Sequence, residues 1–374
     1  MLISIGEWVT VGVGLLAALL TLLSLSSSSH WSVRLWDFPR VQLGLAAAGA
    51  GIIHTAAFPP RGVWGWAFAA ATGATAFWQG WKIFPYTPIA PRQVEWSDRA
   101  RPRGGTPGQP TFRLLITNVL MENTDHDSIL RVIRDADPDV VLAVETDDTW
   151  ARALQPLRET YPHGADQPQD NWYGLMLFSR LELVDCKVEF LVQDDIPSVF
   201  TEVVLPGAPN IHLRGIHPRP PEPIRDQDST PRDAELVIVG KLIQEAPDEP
   251  TVVAGDLNDV AWSQSSQLFA RLASLLDPRR GRGFYNSYNA KNPFLRYPLD
   301  HVFHSHHFRL VALERLPKVG SDHYPMLVEL SYEPDAAREQ PEPVADESDL
   351  EEAEEKLEKQ AEAAATGDDM PGRE

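Results

Sequence analysis

TVVAGDLNDV, residues 251–260, is the stretch that decides how the chain is read. Thr251, Val252 and Val253 are β-branched and lead through Ala254 to Gly255, so they predict a buried strand that stops at the glycine. Beyond it stand Asp256 and Asn258, and in extended backbone residues i and i+2 point the same way. A carboxylate and a carboxamide facing one cleft can orient or deprotonate a water and stabilise a developing oxyanion. The competing reading is a plain turn, because Gly, Asp and Asn are ordinary loop residues. Partners elsewhere in the chain decide between the two.

Working outward, Phe112–Thr117 predicts a strand ending at Asn118, Asp127–Ala136 a helix closed by Pro138, and VVLAV at Val140–Val144 a strand ending at Glu145. Tyr173–Ser179, Val199–Leu205 and Ile211–Ile216 follow as strands, with further β character around Val188–Val192, and His217 stands at the end of the third. Helices are expected over Asp233–Glu245 and Ser266–Leu276, and last strands over Leu299–Phe303 and Met326–Leu330. Strands with interspersed helices over roughly 220 residues suit one layered α/β domain.

The first third differs in kind. Trp8–Leu25 is uncharged and about as long as a bilayer-spanning helix requires. Val41–Phe58 and Gly62–Phe84 are further apolar segments, the last rich in small residues with Trp64, Trp66, Trp78 and Trp81 near its ends. Three transmembrane helices, spanning about 8–25, 41–58 and 62–84, are expected; a buried soluble hairpin is the competing explanation. Arg34 and Arg40 then share a side with Lys82, Arg92, Arg99, Arg101 and Arg103, against Arg61 alone opposite, which puts the large carboxy-terminal domain in the cytoplasm and the amino terminus outside. Residues 85–110 read as a Pro/Arg/Gly linker and 333–374 as a solvated acidic tail lacking fixed structure. That tail holds 16 acidic residues against 4 basic ones, so most of the net charge of −20 lies outside the body of the chain. No basic stripe supports nucleic-acid binding, and the single cysteine, Cys186, excludes an internal disulfide and a thiolate zinc site.

Asn118, Glu145, His217, Asp256, Asn258 and Asp300 all fall at predicted strand ends, and Asp322 and His323 lie just before the final strand. Ligand sites in layered α/β folds collect there. The elements PDVVLAVE, YGLMLFSR, His217, GDLN, LDHVF and SDHYP, together with Asn118, resemble the endonuclease/exonuclease/phosphatase superfamily of deoxyribonuclease-like phosphoesterases, over about residues 111–332. The apolar segments ahead of them resemble a membrane-anchored bacterial branch.

The resemblance implies a four-layer α/β/β/α sandwich that hydrolyses a phosphate ester by direct attack of water. It implies Mg²⁺ or Mn²⁺ held by Glu145 with Asn118, Asp322 as a further metal-site acid, and Asp256 orienting or deprotonating the water. Asn258, His217 and His323 would contact the phosphoryl group, and Asp300 would fix the tautomer of His323. Many relatives carry an acid two positions after the first-strand Asn; here Leu120 stands there, with Glu122 and Asn123 as local substitutes. His301, His304, His306 and His307 lack zinc-site spacing and read as exposed strand-end histidines. The substrate classes left open are lipid, inositol phosphate and, as the alternative, DNA or RNA. A rival of another class is a non-catalytic membrane receptor that retains the fold.

Overall fold

The computed structural model describes residues 5–60, 62–97, 109–222 and 227–366. The amino-terminal region comprises α1 (Ile5–Leu23), the single turn α2 (Trp31–Arg34), α3 (Arg40–Ala57) and α4 (Gly62–Ile83). Then come β1 (Thr111–Asn118), α5 (His126–Ala136), β2 (Val140–Val144), α6 (Asp148–Leu154), β3 (His163–Gln167), β4 (Leu175–Ser179), β5 (Leu183–Glu189) and β6 (Ser198–Val203). β7 (Ile211–Gly215), α7 (Thr230–Gln244), β8 (Thr251–Asp256), α8 (Gln264–Leu272), β9 (Asp300–His304), β10 (Phe308–Arg315), β11 (Met326–Tyr332) and α9 (Glu347–Thr366) complete the chain.

The strands form two sheets, ordered β10-β11-β1-β2-β4-β3 and β5-β6-β7-β8-β9. Among the described strand pairs, β1 with β2 and β7 with β8 are parallel and the others antiparallel. Leu114, Ile116, Val140, Leu142 and Val144 of the first sheet meet Val199, Leu213, Val252, Ala254 and Val302 of the second in the central core. On the outer face of the first sheet Leu115, Val141 and Phe178 pack against Ile129, Ile133 and Trp150 of α5 and α6. Val253 and Phe303 do the same for the second sheet against Leu236, Val239 and Phe269 of α7 and α8. Both faces of β2 are therefore covered, which is why it reads as an unbroken apolar run rather than an alternation. Each buried Val, Leu, Ile or Phe among them contributes about 1.5–3 kcal/mol.

Of the three apolar segments, α1 alone is long and apolar enough to cross a membrane by length and composition, among the described residues. That corrects the expectation of three transmembrane helices. α3 and α4 form over nearly the expected residues, but Arg40, Gln42 and His54 in one and Thr72, Thr75 and Gln79 in the other lower their hydropathy. The three helices pack as a bundle around Ala17, Leu43 and Ala47. Gly14 lies against Phe68 and Thr72, and Gly51 against Thr72. Polar groups turn inward: Gln79 donates to Thr21 Oγ1 at 2.8 Å, and Thr10 Oγ1 lies 3.1 Å from His54 Nδ1. Large apolar side chains turn outward, among them Leu15, Leu16, Leu19, Ile52, Ile53, Trp64 and Phe77.

The bundle is docked to the sandwich at one end. Trp262 Nε1 donates to the Asp37 carbonyl at 2.8 Å, and the Tyr86 hydroxyl donates to the Ala261 carbonyl at 2.5 Å. Of the expected linker, Val94 is fully buried in the central core and Trp96 pairs with Leu310 of β10; residues 98–108, with Arg99, Arg101 and Arg103, lie outside the described residues, as does Arg61.

The acidic tail departs from its expectation too. Its α9 packs on α7 and α8 through Ala353, with Leu357 alongside. Lys356 Nζ lies 2.9 Å from Asp233 Oδ2, and Arg271 pairs with Asp349 at 2.7 Å. Residues 367–374 lie outside the described residues.

Candidate active site

Strand direction assembles the site. β1, β2, β7 and β8 deliver Asn118, Glu145, His217 and Asp256 at their carboxyl ends. β9 runs antiparallel to β8, so Asp300, its first residue, is the register partner of Asp256. β11 runs antiparallel to β1, so the turn before it brings His323 to the same rim. The expected strand end at Gly255 is one residue early: β8 continues through Asp256. Gly255 has φ +149°, and a Cβ there would fall 1.8 Å from the Ile216 carbonyl oxygen, so no other residue fits.

Asn118 links the two sheets. Its Nδ2 donates to Glu145 Oε1 at 2.6 Å and to Asp256 Oδ2 at 3.1 Å, while its Oδ1 accepts from the Leu120 N–H. Asp256 Oδ1 accepts from the Asn258 N–H at 2.9 Å. Asn258 has φ +50°, so it reaches the cleft from a left-handed turn and not, as expected, along an extended strand. Its Nδ2 donates to the Pro218 carbonyl at 3.0 Å, tying it to the loop after His217. Glu145 and Leu120 also have positive φ, at +60° and +58°. Such conformations in non-glycine residues cluster at functional sites.

His323 bridges the two aspartates. Its Nδ1 lies 2.7 Å from Asp300 Oδ2 and its Nε2 3.4 Å from Asp256 Oδ2. Burial opposes the imidazolium, but both carboxylates favour it, and the His323 pKa rises to about 10. His217 is also fully buried, and burial, outweighing the Asp256 charge, lowers its pKa to about 4, leaving it neutral near pH 7. Asp322 is half-buried, and its charge acts on both Glu145 and His323. Every sequence-predicted site residue thus lies at one rim. Leu120, Glu145, His217 and Asn258 line a common cleft of about 350 Å³.

Two groups of atoms suit a cation. Glu145 Oε2 is buried with no hydrogen-bond partner, and burial pushes the carboxyl up to about 7; a hard divalent cation compensates such an oxygen and draws on carboxylate and carboxamide donors. Asp256, Asp300 and His323 also bring ligand atoms within 4.8 Å of one another and could hold a metal. Between them, the oxygen-rich Glu145 side fits a hard divalent cation better, because the nitrogens of His323 already face carboxylates. Of the local substitutes for an acid at Leu120, Asn123 is engaged in donating to the Val119 and Val319 carbonyls, and Glu122 accepts from Trp172 Nε1 at 2.6 Å.

The histidines near Asp300 are not the exposed set expected from sequence. His301 and His304 are fully buried. His301 Nε2 faces the Asp259 carbonyl at 2.9 Å, so it carries the proton, and Nδ1 accepts from Arg279 Nη2 at 2.7 Å. His306 pairs with Glu342, and His307 Nδ1 faces Ser305 Oγ. Two residues sequence reasoning missed support the site. Ser287 Oγ accepts the Asp300 N–H at 3.0 Å, and the Tyr288 ring lies 5.0 Å from that of His323. Both sit in an irregular Asn- and Gly-rich loop with no periodicity to flag them.

The sequence model of the Endonuclease/Exonuclease/phosphatase family matches residues 116–323. The chain belongs to that family. Members of the endonuclease/exonuclease/phosphatase family are hydrolases acting on phosphoester bonds. Similar solved structures include a family member from Beutenbergia cavernae DSM 12333 (20% identity, 60% of this chain and 72% of that one, TM-score 0.49). The catalytic domain of human Nocturnin with bound sulfate is 17% identical over 60% of this chain and 96% of that one, with TM-score 0.49. A family protein from Bacteroides thetaiotaomicron is 16% identical over 60% of this chain and all of the other, with TM-score 0.48. No curated protein matches the sequence.

Proposed function

We propose that the chain is a membrane-attached, divalent-metal-dependent phosphoesterase or phosphodiesterase that cleaves its substrate by direct attack of water. The observation that carries this reading is the Asn118 carboxamide, which joins Glu145 to Asp256 while Glu145 Oε2 stays buried and unpaired. In this reading Glu145, Asn118 and Asp322 hold Mg²⁺ or Mn²⁺, which when bound neutralises charge on the phosphoryl oxygens. Asp256, fixed by the Asn118 and Asn258 hydrogen bonds, orients the attacking water and accepts its proton. Asn258 keeps a second amide hydrogen for a phosphoryl oxygen. His323, held between Asp300 and Asp256, lends its positive charge to the site, and neutral His217 donates to the phosphoryl group; together they stabilise the charge that grows as the ester bond breaks. Glu122 and Glu222 line the same cleft and oppose a polyanion, which favours a smaller phosphoester over DNA or RNA.

Membrane attachment is supported by the large apolar side chains that cover the outside of the α1–α3–α4 bundle while Gln79, Thr72 and His54 are buried within it, and by the length of α1. The α1–α3 connection and the segment after α4 both contact the sandwich, so the catalytic domain lies on their side. With Lys82 and Arg92 also on that side, the cation bias favours the cytoplasmic face of a bacterial inner membrane.

The test is hydrolysis of bis(p-nitrophenyl) phosphate by full-length protein in detergent. Turnover is expected with Mg²⁺ or Mn²⁺ and none with a chelator. Absence of both turnover and metal binding by calorimetry would favour a non-catalytic receptor.

A further inference from the structure

A second cavity, of about 530 Å³, opens beside the catalytic cleft and shares Pro220 and Asn258 with it. One wall comes from the connection between α1 and α3: Trp31, Leu35, Trp36 and Phe38. The other comes from the sandwich: Leu295, Tyr297 and Leu299, with Tyr288, the residue whose ring flanks His323, at the inner end. No described residue lining it carries a charge. The walls are fastened together. Phe38 meets Tyr297 edge-on at 5.5 Å, and Gln42 of α3 donates to the Phe294 carbonyl at 2.9 Å. At the outer lip Leu35, Phe294 and Leu295 expose 49%, 83% and 47% of their surface. α3 starts at Arg40, directly after Pro39 of the cavity lining, and its Gln42 binds at Phe294, so the lip lies at the amino-terminal end of α3.

A polar ester needs no such wall. A water-soluble substrate gains nothing from an uncharged aromatic channel, whereas a ligand with a phosphate at one end and a hydrocarbon at the other matches both cavities at once. Trp31 and Trp36 in its wall suit the boundary between headgroups and acyl chains. We propose that this channel holds the apolar chain of a membrane lipid whose phosphoester lies in the catalytic cleft, so that the amino-terminal helices contribute half of the substrate site as well as the attachment. The proposal rests on the phosphoesterase reading above.

The test uses full-length protein in detergent with p-nitrophenyl alkyl phosphodiesters from methyl to octyl, each below its micellar concentration. In the unmodified protein KM is expected to fall with each added methylene, by about 4-fold where burial is complete. Trp36→Asp and Leu295→Asp are expected to flatten that series while turnover of the methyl ester stays unchanged, with melting temperature as the control for folding. A flat series in the unmodified protein, variants that slow methyl and octyl esters equally, or a preference for oligonucleotides would each overturn the proposal. If no ester is cleaved at all, the phosphoesterase reading fails, and the channel is tested by calorimetry alone. Octylphosphonate binding more tightly than methylphosphonate, with the difference lost in Leu295→Asp, would still support the channel; equal affinities would refute it.

Discussion

Asp256 and Asp300 stand directly opposite each other across the β8–β9 ladder, yet only one of them is surrounded by donors. Both are buried, which raises a carboxyl pKa; for Asp256, His323, His217, Asn258 and Asn118 outweigh burial and lower it. Asp300 stays raised by burial, with His323 opposing and the Asp256 charge adding to the rise. The two carboxylates therefore differ in environment: Asp256 is held ionised, as a group that orients a water requires, whereas Asp300 holds an imidazole.

Asp256→Ala and His323→Ala are accordingly expected to lower kcat by about 10²–10⁴-fold on an activated phosphodiester. Asp300→Asn should lower kcat more than it raises KM, because it disturbs the orientation of His323 rather than the cleft itself. Steady-state kinetics on the three variants checks this, and an unchanged kcat in Asp256→Ala would sink the mechanism.

Glu145→Ala should abolish metal binding without unfolding the sandwich, since it removes the buried oxygen that lacks a partner. Thermal melting with increasing Mg²⁺ or Mn²⁺ reads this directly. Metal at 100 times its Kd adds about 2.7 kcal/mol of stability to the unmodified protein, and none is expected in the variant.

Glu235 gives a pH-dependent stability away from the site. Burial, opposed by the Ser198 hydroxyl at 2.7 Å, lifts its carboxyl from 4.5 to about 7. Because the folded pKa lies above the unfolded one, the stability it supports is fully present below about pH 4.5 and lost as pH rises through about 7. Glu235→Gln keeps an acceptor for Ser198 and removes the charge. It should raise the melting temperature at pH 8, by an amount corresponding to a few kcal/mol, and leave it nearly unchanged at pH 4.5. Equal melting shifts at both pH values would contradict the assignment.

Gly255→Ala should prevent folding or cost at least about 3 kcal/mol, because a Cβ meets the Ile216 backbone and the φ of +149° suits glycine alone. Yield and melting temperature are the measurements. Gly73→Ala in α4, where a Cβ meets nothing within 4 Å, is the neutral control.

Much of the catalytic domain is legible as apolar runs because its central strands are covered on both faces. β2 forms over Val140–Val144, as its run of five apolar residues predicts. β10 escapes the same reading because its register shifts between Leu310 and Ala312, which breaks the period of two. β3, HGADQ, has no apolar face and exists through backbone pairing to β4 at the sheet edge. α6 is only seven residues long and is set by Asp147, whose side chain caps the Trp150 N–H. The order of the tail is hidden from sequence because it comes from ion pairs to Asp233 and Arg271, partners more than 70 positions away.

The site residues are legible for a related reason: polar residues that end apolar runs are conspicuous. What sequence does not carry is their geometry. Asn258 arrives through a left-handed turn, and Asp300 begins its strand rather than ending one. Ser287, Tyr288 and the aromatic wall from the α1–α3 connection join the cleft through tertiary packing with no local signature.

A single carboxamide, that of Asn118, touches an acid from each half of the sandwich. The candidate active site is thereby a gauge of the spacing between the halves. A core substitution that lets them slip by about half an ångström should lower turnover by more than its cost in stability would suggest.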